Sequence, residues 1–254
     1  MERTNETRRL TWVLAITAIY FFAELLGGIL TNSLALLSDA GHMFSDIAAL
    51  GLSLFAFQMA RRPATAKRTY GYHRMEILAA LINGLTLWLV VGIIFNEAYR
   101  RFLDPPEVHS LGMLFIASIG LMVNVVAGTI LYGSDHRSLN MHGAFLHVLG
   151  DTIGSVGAVA AGLVMLATGW YLADPLISVL IGLLILYTSW DLVKESIDIL
   201  MQSVPKGIDV EEVQRALEQI HGVIKVHDLH VWAVTSGVFT LSAHAVIAPD
   251  GNPH

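Results

Sequence analysis

An all-α bundle of six transmembrane helices, followed by a small α+β cytoplasmic domain, is the fold class this sequence predicts. Three observations carry it. Hydrophobic residues make up 54% of the chain and charged residues only 14%, against roughly 25% charged in soluble domains. Mean hydropathy is +0.60. The apolar residues are also gathered into six runs, each near the roughly 20 residues that cross a bilayer, and the composition turns polar only after them. Residues 1–200 are therefore assigned to the membrane and residues 201–254 to a cytoplasmic domain.

The six runs fall near 10–30, 34–59, 77–99, 110–133, 142–168 and 173–193. The first is too long, and too weakly flanked by small residues, for a cleaved signal peptide, so it counts as a span. Lys and Arg accumulate on cytoplasmic loops. Arg3, Arg8 and Arg9 precede the first run, and Arg61, Arg62, Lys67, Arg68 and Arg74 join the second to the third. The opposing turns at Thr31-Asn32-Ser33 and from Gly169 to Asp174 carry none, which places both termini in the cytoplasm. Arg100 and Arg101, at the far end of the third run, are the exception. After the sixth run, Asp209 is a candidate N-cap, with Glu211 and Glu212 in the first turn, where the helix dipole favours acids. Val213, Leu217 and Ile220 then recur at helical spacing up to His221-Gly222. VIKVHDLHVWAV and VFTLSAHAVIA, separated by Thr-Ser-Gly, read as a β-hairpin.

Composition also excludes functions. Cysteine is absent, which removes thiolate metal sites and thiol nucleophiles. A formal charge of -6 offers no footprint for nucleic acid, so the surroundings are the lipid bilayer. No His-Glu-x-x-His is present, and four protein ligands would close a metal to the water that a hydrolase needs, so an enzyme is not expected.

Two copies of His-x-x-x-Asp stand inside apolar runs: His42 and Asp46 in the second, His147 and Asp151 in the fifth. Residues i and i+4 share a helix face, so each pair aims an imidazole and a carboxylate at one point. Two such helices facing each other supply two nitrogens and two oxygens, a set suited to tetrahedral Zn²⁺. His and Asp in hydrocarbon are costly and mark ion or proton pathways. Ala40, Gly41, Ser45, Gly150 and Gly154 would let the two helices approach closely. Asp39 precedes His42 by three residues and is a candidate either to orient that imidazole or to serve an interface near the Thr31-Asn32-Ser33 turn. Glu24, Asn83 and Asn124 are further intramembrane polar groups, expected to hydrogen-bond helices together. In the hairpin, a two-residue loop at Thr235-Ser236 sets His227 opposite His244, and a three-residue loop separates them onto opposite faces. Asp228 points away from His227 along a regular strand.

SLALLSDAGHMFSD, RRPATAKRTYGYHRMEILAA, LHVLGDTIGSVG and HDLHVW together resemble the cation diffusion facilitators, closest to the bacterial zinc, cobalt and cadmium efflux branch. The resemblance runs across essentially the whole chain. It implies a six-span homodimer of the bacterial inner membrane with cytoplasmic termini, exchanging Zn²⁺ for protons by alternating access, with Cd²⁺ and Co²⁺ as possible further substrates. The transport site it implies is His42, Asp46, His147 and Asp151, and His42 in place of a carboxylate favours Zn²⁺ over Mn²⁺. It also implies a ferredoxin-like, metallochaperone-like αββαβ cytoplasmic domain in which His227 and His244 match histidines used for a further, structural Zn²⁺. The sequence to His254 supplies only the α-β-β part, so the reading is of an incomplete, apparently truncated domain.

Overall fold

The computed structural model describes residues 2–132, 139–235 and 237–248, with the side chains of 2–11, 14, 53, 57 and 139–144 set aside. Six long helices come first: α1 (Glu2–Thr31), α2 (Leu34–Ala60), α3 (Met75–Leu103), α4 (Ser110–Tyr132), α5 (Leu139–Thr168) and α6 (Ala173–Leu200). A short helix α7 (Val210–Glu218) and the strands β1 (Val223–Thr235) and β2 (Val238–Ile247) follow. By length and composition five helices can cross a membrane unaided, and α1 contributes the shorter apolar segment Ala15–Thr31. The fold is mostly helical with a small two-stranded sheet, as the apolar runs predict.

Two compact units divide the chain, Met1–Ala48 with Leu85–Ser189 and Ala49–Gly84 with Trp190–His254. In the first, α4 buries Met113, Ala117, Gly120, Asn124, Ala127 and Leu131, a stripe at helical spacing, and exposes Leu111, Phe115 and Met122. A bilayer would cover that exposed side. Leu36, Val91, Met113, Met165, Ile181 and Ile185 build the main core. Close helix approach depends on a glycine at Gly162, where an added Cβ would lie 3.3 Å from the Leu114 backbone. Gly150 and Gly154 serve no such contact, because a Cβ there would meet nothing within 4 Å. The small residues of α5 near its motif open space instead of closing it.

One end of this unit is tied by a buried knot. The Asp174 carboxylate, fully buried, accepts from Ser33 Oγ at 2.7 Å, Leu34 N at 2.7 Å and Ala35 N at 3.1 Å. It thereby caps the start of α2, whose first backbone N–H groups have no partner within their own helix. Arg101 Nη1 lies 3.3 Å from Asp174 Oδ2 and donates to the Asn32 carbonyl at 2.7 Å, while Nε reaches Glu97 at 3.2 Å. The exceptional cation of the charge pattern is thus buried and neutralised.

In the second unit Asp209 Oδ1 accepts from Glu211 N at 2.9 Å and caps α7 as predicted. The helix ends at Glu218, short of His221. Gln214 Nε2 donates to the Val226 carbonyl at 3.0 Å and Val226 N donates to Glu218 at 3.0 Å, fastening α7 to β1. Thr235 Oγ1 donates to Glu76 at 2.8 Å.

Candidate metal-transport site

The α2 and α5 faces that carry the His-x-x-x-Asp pairs meet. His147 Nε2 lies 3.2 Å from Asp46 Oδ2 and 3.6 Å from Asp151 Oδ2. His42 Nε2 lies 3.8 Å from Asp46 Oδ2 and 3.7 Å from Asp151 Oδ1. The imidazole centroids are 5.5 Å apart. Ligands about 2.0–2.1 Å from a tetrahedral Zn²⁺ stand about 3.3–3.4 Å from one another. Each imidazole nitrogen therefore sits near the edge length of that tetrahedron from both carboxylates. Helix periodicity supplies each pair, and the packing of the bundle supplies the meeting of the two.

A cavity of about 80 Å³ adjoins the site, lined among others by Asp39, His42, His147, Gly150, Asp151 and Gly154. At ~30 Å³ per liquid water it has room for two or three. Gly150 and Gly154 explain the space, since side chains there would fill it. His42 Nδ1 is buried without a hydrogen-bond partner, so Asp39 does not orient that imidazole through it. Asp39 instead meets the Glu24 carboxyl of α1. Asn124 Nδ2 donates to Ser155 Oγ at 3.0 Å, joining α4 to α5 as expected of an intramembrane amide.

The cytoplasmic histidines come together by a route that strand alternation does not foresee. His227 pairs with His244 across the hairpin, but through register shifts on either side of it, not through one regular ladder. Ser236, part of the loop used in the register argument, lies outside the described residues. A bulge follows His227, where Asp228 adopts φ +51°. That left-handed step, which Asp tolerates better than most residues, turns the side chain back toward its neighbours. Asp228 Oδ2 lies 3.3 Å from both His227 Nδ1 and His244 Nδ1, whereas a regular strand would have pointed it away. His227, Asp228 and His244 form an exposed cluster of metal-ligating groups. His230 stays outside it, opposite Ser242.

A bundle of apolar helices on which two imidazoles and two carboxylates converge has the donor set expected of a membrane protein that handles cations. Residues 10–201 match the family model for the cation efflux transmembrane domain, and residues 205–253 match that for the cation efflux protein cytoplasmic domain. The chain is 46% identical over 230 residues to the cadmium, cobalt and zinc/H(+)-K(+) antiporter of Bacillus subtilis, covering 90% of this chain and 74% of the relative. It is 44% identical over 246 residues to the metal cation efflux system protein CzcD of Cupriavidus metallidurans, covering 97% and 78%. With the zinc transporter ZitB of Escherichia coli the identity is 42% over 253 residues, covering 98% and 79%. The chain belongs to the cation efflux family, the cation diffusion facilitators, whose members are multi-pass membrane transporters and not enzymes.

Proposed function

We propose that this chain exports Zn²⁺ in exchange for protons, holding the ion between His42, Asp46, His147 and Asp151, with Cd²⁺ and Co²⁺ as further substrates. The observation that carries the reading is the placement of both imidazole nitrogens 3.2–3.8 Å from both carboxylates. Two carboxylates balance the charge of a dication, and two neutral imidazoles complete its coordination. Zn²⁺ requires those imidazoles deprotonated, so binding releases protons and protonation expels the metal. Imidazole is the group that must give up its proton before it can hold the metal, so His42 and His147 are the carriers in this reading. Rocking of helices about the site exposes it alternately to either side.

In this reading residues 1–200 lie in the bacterial inner membrane, residues 201–254 and the N-terminus are cytoplasmic, and the assembly is a homodimer. The match to the family's cytoplasmic domain supports both placements. His227 and His244, with Asp228 beside them, hold a further Zn²⁺ there.

The test is metal flux in sealed proteoliposomes. An acid lumen should drive Zn²⁺ uptake with lumenal alkalinisation, and absence of counterflow would overturn proton coupling. The Bacillus relative is named for both H⁺ and K⁺, so flux that follows an imposed K⁺ gradient instead would assign the counter-ion to K⁺. His42→Asp should relax discrimination between Zn²⁺ and Cd²⁺, and an unchanged selectivity would remove that role from the imidazole.

A further inference from the structure

Glu24 is a charged residue type buried in the apolar segment of α1, 2% exposed, and the transport site does not use it. Its surroundings are acidic or neutral on every element packed against it. On α1 itself, Tyr20 Oη lies 3.1 Å from Glu24 Oε1. From α4 comes only the Ile116 carbonyl, 3.2 Å from the same Tyr20 hydroxyl, and α4 carries no acid, base or histidine. From α2 comes Asp39, whose carboxyl meets that of Glu24. Asp151 on α5 is the next charge. No Lys or Arg occurs between Trp12 and Thr31 or anywhere in α2, α4 or α5. Glu24 Oε2 has no donor in reach.

These contacts require a proton. Two carboxyl oxygens form a hydrogen bond only when one of them holds a hydrogen. The single Tyr20 proton faces both the Ile116 carbonyl and Glu24, and both are best satisfied if Glu24 supplies a hydrogen of its own. An ionised carboxylate here would be buried with no cation to offset its lost hydration. The proton also has a path out. Asp39 touches Glu24 on one side and lines the cavity shared with His42, His147 and Asp151 on the other.

From this geometry we infer that Glu24 carries one of the protons exchanged for the metal. When the dication enters, the Glu24 O–H bond breaks, an O–H bond forms on Asp39, and Asp39 passes a proton to water in the cavity. The electron pair left on Glu24 is a negative charge that the nearby dication makes tolerable. On metal release the steps reverse. Glu24 coordinates nothing; it is a positioning and proton-holding residue. The inference rests on the proton-exchange reading above.

The test counts protons released per Zn²⁺ bound by the full-length protein in detergent, in weak buffer with a pH indicator. Glu24→Gln keeps the shape and both hydrogen-bonding ends but cannot give up a proton. It should release one proton fewer per Zn²⁺ than wild type, and its flux should show a flatter dependence on lumenal pH. Equal counts in the two proteins would overturn the inference and leave proton exchange standing. A wild type that releases no protons would overturn proton exchange itself and the inference with it. Should Glu24→Gln fail to fold, Tyr20→Phe removes the phenol that braces Glu24 while leaving its carboxyl in place. That variant should keep the proton count and shift the pH midpoint of release, and an unmoved midpoint would overturn the inference.

Discussion

Asp174 and Asp151 are both carboxylates on helices of the same compact unit, and their surroundings treat them in opposite ways. Around Asp174 every acceptor position meets a donor: one hydroxyl, two backbone N–H groups and a guanidinium. Around Asp151 stand two imidazoles and, further off, Asp46, Asp39 and Glu24. That is four carboxyls against two imidazoles, with no Lys or Arg in α2, in α5 or between Trp12 and Thr31 of α1. A satisfied buried acid fixes structure. An acid left in surplus near a small cavity is a place for a cation or a proton, because only those complete its charge and hydrogen bonding.

The largest effect should come from breaking the satisfied side. Asp174→Ala leaves the buried Arg101 with only the more exposed Glu97 as counter-charge and uncaps α2, and removing one partner of a buried pair costs about 3–5 kcal/mol. Thermal unfolding in detergent should show it, and adding Arg101→Met should recover part of the loss. An Asp174→Ala protein that unfolds like wild type but does not transport would break the comparison, since Asp174 would then belong to the function.

On the unsatisfied side the expectation inverts. Asp151→Ala removes a proposed ligand and relieves acid crowding, so folding should hold or improve while Zn²⁺ flux falls by ~100-fold or more. Groups that only support metal ligands are already worth roughly 10–100-fold. The same unfolding assay, paired with liposome flux, reads both. Loss of stability comparable to Asp174→Ala would mean that Asp151 is a structural acid after all.

Asn124→Ala tests a neutral case between the two. It removes the hydrogen bond to Ser155, and such bonds between transmembrane helices average about 0.6 kcal/mol. A small fall in unfolding temperature is expected. A loss as large as that of Asp174→Ala would show that burial alone, and not charge, sets the difference between the two acids.

How far each region was legible in the sequence follows from the range of the interactions involved. The spans from Leu34, Ser110 and Ala173 start where apolar runs start, because hydropathy is local. The His42–Asp46 and His147–Asp151 pairs were visible because i,i+4 spacing is local too. Arg101 could be seen only as an anomaly in the charge pattern. Its partner Asp174 is 73 residues away, and nothing in either segment names the other. Asp228 was misplaced because strand alternation assumes a regular ladder, and a single left-handed residue breaks it. Gly150 and Gly154 were expected to bring helices together, yet they open the cavity. A glycine's missing side chain looks the same in sequence whether a neighbour or a void takes its place.

The smallest effect comes from a carboxylate with good donors at the surface of the tail. Glu218 accepts from Val226 N at 3.0 Å and Gln214 Nε2 at 3.2 Å, and these donors, the backbone N–H first, hold its carboxyl below the usual glutamate value of 4.5. Its folded value is depressed, so the fastening of α7 to β1 is fully present above 4.5 and is lost as pH falls through the folded value. Water competes for both donors at this surface, so the loss should be slight and confined to the tail. Amide hydrogen exchange in the full-length protein should show Val226 and the last turn of α7 exchanging faster as pH drops below about 4.5, after correction for intrinsic rates. Glu218→Gln should remove that dependence. If it persists, the donors around Glu218 are not its source; if it spreads to α2 or α6, solvent has reached the knot, and Asp174 is less sealed than its contacts imply.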